Sequence, residues 1–531
     1  MIQKVPNQFS YYLFSLLVLL LVSFFIVRAL TPFGVATSPD SIKYLDIAYN
    51  FQRTSQIGQT DLSIENNEKY RVVPQRIWPP GYPVLLSYII SDPFDVVNIS
   101  NLSIFLLFTT SFLILILLRA GQINWLSSLI FSTLSMVTLP LVLIYGYAWS
   151  ETLFIPILLG VIVSFWGYLK NQKAPVWNRF SYVIVISILA TCLSMTRYIG
   201  IFIFFLFPIA FILGEKTLSN FILIVFGSLI NILCVGGWLW GNYKQTGTLS
   251  GGYRAFSELT VFENIFHTFE SFRTIFPTSW LGFFIAGIAS TVFLYIFIKL
   301  GYSWSDKMPT TSRAKFVTVL LSVTFLYLFA LISMRSYSHF DQIDVRLIAP
   351  AIPPFLVVFA IVPAFFSNKK NLFNVSVFLS LFIFFSLVTR GYDCLNSAVI
   401  NWDKIGTPLL PMRGKLSFNN FTPPESGTSS IKAFNSIISP GGKLVIDRPL
   451  TWRFITRLET AQKPSQLNDA KIELLNKLPE GSAILLSKKE ALLVEKTSRV
   501  HGWTIDRLNI GRNVVIRLPL NSEWKKPNSP P

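Results

Sequence analysis

The chain has 531 residues, of which 52% are hydrophobic, 15% aromatic and 14% charged, and it carries a formal net charge of +18. A soluble fold of this size has too little interior to hide so much apolar side chain, which excludes a soluble globular protein and points to a polytopic membrane protein. The surplus Lys and Arg fall largely in short loops between apolar runs, where they set topology, so the basic balance gives no nucleic-acid partner.

The first apolar run, Tyr11 to Leu30, is too long for a signal-peptide core and has no small-residue cleavage site after it, so it reads as a retained span. At about 20 apolar residues per span, helices are predicted near 11–30, 98–118, 125–146, 151–170, 181–197, 199–213, 220–241, 280–299, 316–335, 347–366 and 372–390. The sum is about eleven transmembrane helices, with the segments flanking Arg197 readable as two spans or as one broken helix. Lys4, Arg119, Lys170, Lys173, Arg179 and Lys216, with Lys299, Lys307, Arg313, Lys315, Lys369 and Lys370, then lie on one side. The only acids with them are Glu215 and Asp306. The positive-inside rule makes that side cytoplasmic, with the N-terminus inside and the loops 31–97 and 242–279 outside. Cys192, Cys234 and Cys394 are too few for a disulfide framework and read as packing residues.

The first outside loop holds two polar segments. In SPDSIKYLDIAYNF (38–51), Ser38 suits an N-cap, Pro39 the first helical position and Asp40 the first turn, where the helix dipole favours a negative charge. Ile42, Leu45 and Tyr49 share a face, which predicts an amphipathic helix lying flat on the membrane surface. A simple capping carboxylate is the plainer reading of Asp40. In IWPPGYPVLLSYI (77–89), Trp78, Pro79, Pro80, Gly81, Tyr82 and Pro83 form a stiff aromatic turn after Arg71 and Arg76, two cations suited to an anionic group at the membrane face.

Three further segments place charge on the same outer side: Glu151 in YAWSETLF, Arg197 with Tyr198 in SMTRYIG, and Arg346 in DVRLIAPAIPP. One such residue at a helix end is usually a solvated flank; several on one face suggest a site. His267 and His339 have no HxxxH or CxxC partner spacing, so they are weak evidence for a metal, with His339 in SYSHFDQID the better placed. After Arg390 the hydropathy falls. KLVID (443–447), SAILLS (482–487) and NVVIRLPL (513–520) read as strands, and LTWRFITRLE (450–459) and KKEALLVEKT (488–497) as helices. The chain therefore divides into a transmembrane domain, 1–390, and an extracytoplasmic soluble α/β domain, 391–531.

The post-span helix DSIKYLDIA, the PPGYPVLL turn, WSETLF, TRYIG and RLIAPAIPP together resemble the GT-C superfamily of integral-membrane glycosyltransferases. The resemblance is to the branch related to protein O-mannosyltransferases and the lipid A aminoarabinose transferase, and it covers most of 30–366. Where the family commonly has a paired acidic motif in the first loop, this chain has Asp40 followed by Ser41.

The resemblance implies transfer of a sugar from a polyprenyl-phosphate donor to a hydroxyl of a lipid, glycan or protein acceptor, on the outer face of a plasma membrane of bacterial type. Asp40 and Glu151 are then the catalytic candidates, Asp40 as general base. Arg76, Trp78, Tyr82, Arg197, Tyr198, His339 and Arg346 are the substrate-binding candidates, with Arg197 and Arg346 compensating the phosphate. A single displacement with inversion follows. For Glu151, orienting the acceptor, assisting the base and holding a divalent metal all stay open; no cofactor is otherwise implied. The rival readings are a transporter or flippase of lipid-linked saccharides, which calls for charges at mid-membrane or paired broken helices, and a polymerase or ligase using a pyrophosphate-linked donor.

Overall fold

The computed structural model describes residues 6–31, 34–62, 71–74, 77–93, 95–252, 254–276, 310–338, 342–363 and 370–405, and within the C-terminal segment 444–446, 460–462, 482–500, 507–510, 513–518 and isolated positions. Two compact units emerge. The first comprises Met1–Thr37, Gln75–Ile90 and Asp95–Pro411, and the second comprises Ser38–Pro74, Ser91–Phe94 and Met412–Pro531.

In the first unit, helix α1 is Pro6–Leu30. In the second, α2 is Pro39–Thr54, followed by β1, Gly58–Thr60, and β2, Val72–Pro74. The first unit continues with α3 (Gly81–Ser87), α4 (Val96–Ala120), α5 (Trp125–Ser135), α6 (Leu139–Tyr145), α7 (Glu151–Lys170) and α8 (Val176–Thr196). A 3-10 segment, Tyr198–Phe205, leads into α9 (Leu206–Leu213) and α10 (Leu218–Thr246), then α11 (Val261–Thr274) and α12 (Thr310–Tyr337). The short α13 (Val345–Ile348), a 3-10 turn at Ala349–Ala351, α14 (Ile352–Ile361) and α15 (Lys370–Ile405) complete it.

Among the described residues seven helices are long and apolar enough to cross a membrane, or eight if α5 and α6, bent by 58° from each other, form one span. The chain is an integral membrane protein. Exposed Phe14, Phe25, Ile232 and Leu233 on α1 and α10 show the expected inversion, with apolar side chains facing outward where lipid is the solvent. The expectation of about eleven spans meets several shorter pieces. The 125–146 run is bent at Met136–Thr138, 199–213 is a 3-10 turn plus α9, and 347–366 is the broken segment α13–α14. The run at 280–299 lies outside the described residues. The helix expected to stop at Arg390 continues to Ile405 as α15. It crosses the α5–α6 break so closely that a Cβ on Gly391 would collide with the Val137 carbonyl, which only glycine permits.

In the second unit α2 has the cap its sequence predicts. Ser38 Oγ accepts from Ser41 N at 3.3 Å, and Ser41 Oγ in return accepts from Ser38 N at 3.0 Å, so the serine in place of a second acid completes a capping box. The helix ends at Ser55, in the left-handed region at φ 57°. Its burial corrects one expectation. Besides Ile42 and Leu45, the side chains of Tyr44, Asp46, Ile47, Ala48 and Asn50 are buried, on more than one face, so protein rather than lipid encloses much of it. Asp46 ties the β1–β2 hairpin to α2: it accepts from Thr60 N and Thr60 Oγ1, each at 2.7 Å.

The C-terminal segment holds a five-stranded mixed sheet of order β4-β3-β5-β7-β6, where β3 is Leu444–Ile446, β4 Thr460–Gln462, β5 Ser482–Ser487, β6 Arg507–Ile510 and β7 Asn513–Leu518. Strand β3 runs parallel to β4 and β5, while β7 is antiparallel to β5 and β6. Helix α16, Lys488–Val500, follows β5 without a loop, because Glu490 accepts from the N–H and hydroxyl of Ser487 at 2.8 and 2.7 Å. It buries Ala491 and Val494 in a core with Ile484, Leu486 and Ile516. The three strands and the 488–497 helix read from the sequence are present, β4 and β6 were not anticipated, and the expected helix at 450–459 lies outside the described residues.

Candidate active site

The site grows from three places where helices stop or start: the beginning of α7, the end of α8 and the beginning of α13. Ahead of α7 the chain is pinned by two backbone bonds to Ala36, from Ala36 N to Gly146 O at 2.9 Å and from Ala148 N to Ala36 O at 3.0 Å. This sets Tyr147 and Trp149 as a parallel stack with ring centroids 4.2 Å apart. Pro156 inside α7 has no N–H for the Thr152 carbonyl. The Tyr145 hydroxyl donates to that carbonyl at 3.3 Å and meets Thr110 Oγ1 at 2.5 Å, so the first turn of α7 holds its geometry despite the proline.

The second place is the end of α8. Arg197 takes an extended conformation, φ −150° and ψ 133°, and the chain restarts as a 3-10 helix. Gly200 makes the turn possible, since a Cβ there would come 2.7 Å from the Leu193 carbonyl oxygen. The PPGYP turn docks on the same place, with the Gly81 Cα so near that a Cβ would lie 2.8 Å from Met195 O. The third place is α13, begun by Asp344, which accepts from Leu347 N at 3.1 Å. The Tyr327 hydroxyl of α12 donates to Leu347 O at 2.6 Å and holds this four-residue helix in place.

These three places meet at Glu151, whose side chain is 0% exposed. Its Oε1 accepts from Arg346 Nε at 2.7 Å and is also paired with Arg197 Nη1. Its Oε2 accepts from Ser150 Oγ at 3.3 Å. The guanidinium of Arg346 lies over the Trp149 ring, 4.6 Å from its centroid, and is itself buried. Two guanidiniums and one carboxylate give this triad one net positive charge, held in surroundings where a charge keeps far more of its field than in water. With Oε1 shared by two cationic donors and Oε2 held by the Ser150 hydroxyl, Glu151 is arranged to fix the two arginines.

No protein-family model matches the chain, and no curated protein matches it by sequence. Solved structures do. ArnT from Cupriavidus metallidurans, bound to undecaprenyl phosphate, superposes with a TM-score of 0.54 at 11% identity, over 96% of this chain and 98% of that one. The oligosaccharyltransferase AglB from Archaeoglobus fulgidus matches with a TM-score of 0.42 at 10% identity, over 97% of this chain and 75% of that one. The Pmt1-Pmt2 protein O-mannosyltransferase of S. cerevisiae matches with a TM-score of 0.33 at 15% identity, over 46% and 34%. The chain has the GT-C fold.

Within that GT-C fold, three of the residues singled out from the sequence, Glu151, Arg197 and Arg346, are in direct contact. Tyr198, next to Arg197 in the chain, is fixed to α10, its hydroxyl accepting from Trp238 Nε1 at 3.2 Å and Asn242 Nδ2 at 3.0 Å. Trp78 is half-buried, with the Arg254 guanidinium 5.8 Å from its ring centroid and Arg254 Nη2 donating to Ile77 O at 3.4 Å. Tyr82 is fully buried beneath the turn. Asp40 is half-buried in the first turn of α2, in the second unit. Arg76 and His339 lie outside the described residues. His267 is paired through Nδ1 with Gln342 Nε2 at 2.8 Å, and no group of three or more metal-ligating side chains occurs among the described residues.

Sequence reasoning missed Trp149, Ser150, Tyr327 and Arg254. Trp149 and Ser150 left a local trace, lying directly before the glutamate in YAWSE.

Proposed function

We propose that this GT-C chain transfers a sugar from a polyprenyl-phosphate donor to a hydroxyl acceptor at the outer membrane face. The observation that carries the proposal is the buried Glu151–Arg197–Arg346 triad, set where α7 begins, α8 ends and the short α13 begins, in a fold shared with a protein solved with undecaprenyl phosphate bound. Arg197 and Arg346 hold the donor phosphate, and Glu151, with Trp149 behind Arg346, is a positioning residue for both. The acceptor oxygen attacks the anomeric carbon as the bond from that carbon to the phosphate oxygen breaks, and the electron pair leaves on polyprenyl phosphate, whose charge the two guanidiniums offset. Configuration inverts in this single displacement.

Asp40 takes the proton of the acceptor hydroxyl. Its assignment rests on its own chemistry, a carboxylate fixed in a capped first turn. The N-terminus is assigned to the cytoplasm and the C-terminal segment to the opposite side.

A transfer assay with polyprenyl-phosphate sugars and a panel of lipid, glycan and peptide acceptors, read by release of polyprenyl phosphate, tests the reaction. Asp40→Asn is expected to abolish transfer while donor binding persists, since the amide keeps the size and can still accept a hydrogen bond. Near-normal turnover in that variant removes Asp40 as base. Translocation of an intact lipid-linked saccharide with no polyprenyl phosphate released supports a flippase instead.

A further inference from the structure

Helix α11 turns its polar residues toward the protein and its phenylalanines away from it. At 100° per residue, Asn264, Thr268 and Ser271 fall on one face, and all three are buried. Asn264 Nδ2 donates to Ser336 Oγ at 3.0 Å and Ser271 Oγ donates to Ile343 O at 2.7 Å. The opposite face carries Phe262, Phe266 and Phe269, which are 83%, 61% and 70% exposed, and it closes in the last turn with exposed Arg273, whose guanidinium turns to Glu270 on the polar flank at 3.0 Å. Between these faces, one flank carries Glu263, His267 and Glu270, and the other carries Val261, Ile265 and Phe272.

A helix docked on a water-facing surface puts its apolar stripe inward. Here the order is reversed, and a three-way division into protein, water and apolar surroundings matches a helix at a bilayer surface.

The neighbouring elements mark the same level. Helix α11 follows the long apolar helix α10 and touches the end of α12 at Ser336. Exposed aromatics cluster at those two helix ends: Trp240 stacked with Tyr243 at 5.6 Å, and Phe256 edge-on to Tyr337 at 5.8 Å. Aromatic rings favour this boundary depth.

We propose that α11 is a lipid-contacting helix lying in the plane of the membrane surface, with Phe262, Phe266 and Phe269 among the acyl chains. Its bonds to Ile343 and Gln342 tie its depth to the backbone just before Arg346. The proposal concerns a surface and its lipid, and it stands independently of the reaction assigned above.

The full chain, with Cys192, Cys234 and Cys394 replaced by alanine, is reconstituted in phosphatidylethanolamine–phosphatidylglycerol vesicles and nitroxide-labelled through Phe262→Cys, Phe266→Cys, Phe269→Cys or Glu263→Cys. Spin relaxation by oxygen is expected to exceed that by a water-soluble nickel chelate at the three phenylalanine positions, with the order reversed at Glu263. Nickel-dominated relaxation at the phenylalanine positions overturns the proposal by placing them in water. Protection from both reagents also overturns it, because a second protein surface then covers the stripe. The native chain supplies an independent check with a phospholipid carrying a photoreactive acyl chain. Adducts on residues 261–274 support the proposal, and their absence while Leu233 of α10 is labelled refutes it.

Discussion

Glu151 in α7 and Glu263 in α11 each occupy the first turn of a helix, and their surroundings could hardly differ more. Glu263 is exposed and spends its carboxylate on its own backbone, accepting from Thr260 N at 2.7 Å and Thr260 Oγ1 at 2.8 Å in a capping box. Glu151 is fully buried and, besides the adjacent Ser150 hydroxyl, serves two arginines, one of them 195 residues away. A first-turn acid favours the helix dipole in both places. What separates them is burial: a charge inside a membrane protein must be matched, and the match here draws two distant arginines onto one carboxylate.

The largest expected effect comes from removing that match. Glu151→Gln leaves two guanidiniums facing a neutral amide, and losing one partner of a buried ion pair costs about 3–5 kcal/mol. Thermal unfolding in detergent should show the loss directly. Displacing both arginines should also lower transfer by roughly 100-fold, the scale set by misplacement of about an ångström. A Glu151→Gln protein with unchanged stability and turnover would mean that the triad neither holds the fold nor positions the donor.

A smaller effect separates the two arginine contacts. Arg346→Ala removes a charge-assisted hydrogen-bond donor, worth about 1.5–3 kcal/mol, and is expected to weaken binding of the lipid donor measured by titration. Trp149→Leu keeps that charge and removes only the ring beneath it, a loss of about 0.5–2 kcal/mol. If Trp149 acts by positioning Arg346, its variant raises the KM for donor, and it adds nothing further in an Arg346→Ala background. Full additivity of the two substitutions would sever the link between them.

The same contrast explains what the sequence made legible. The cap at Ser38, the stop at Arg197 and the start of α7 are local events, written in neighbouring residues, and the structure has them where expected. Counting spans led to the expectation that Glu151, Arg197 and Arg346 share one side, but not to their direct contact, because no local pattern encodes a pairing across 195 positions. One burial reading failed for a related reason. The Ile42–Leu45–Tyr49 stripe of α2 suggested one covered face, yet tertiary packing covers more than one. The phenylalanines of α11, which no sequence reading placed, are turned outward in the structure. Periodicity reports that a face is distinct; it does not say which surroundings that face meets.

The smallest expected effect belongs to Glu263. The backbone N–H of Thr260, and after it the Thr260 hydroxyl, donate to the Glu263 carboxylate and hold it below the ordinary carboxylate range. A carboxyl whose folded-state pKa is depressed contributes its stability in full above the unfolded value, and the contribution disappears as pH falls through the folded value. Solvent screens this exposed group, so the consequence is confined to the first turn of α11. Amide hydrogen exchange at Thr260, corrected for its intrinsic pH dependence, should therefore lose protection as the solution is acidified through that lower range. Glu263→Gln cannot titrate there and should give a flat profile. A parallel loss of protection along the whole of α11 would contradict this picture, because the inward bonds of Asn264 and Ser271 and the outward phenylalanines, none of which titrates, should keep the rest of the helix in place.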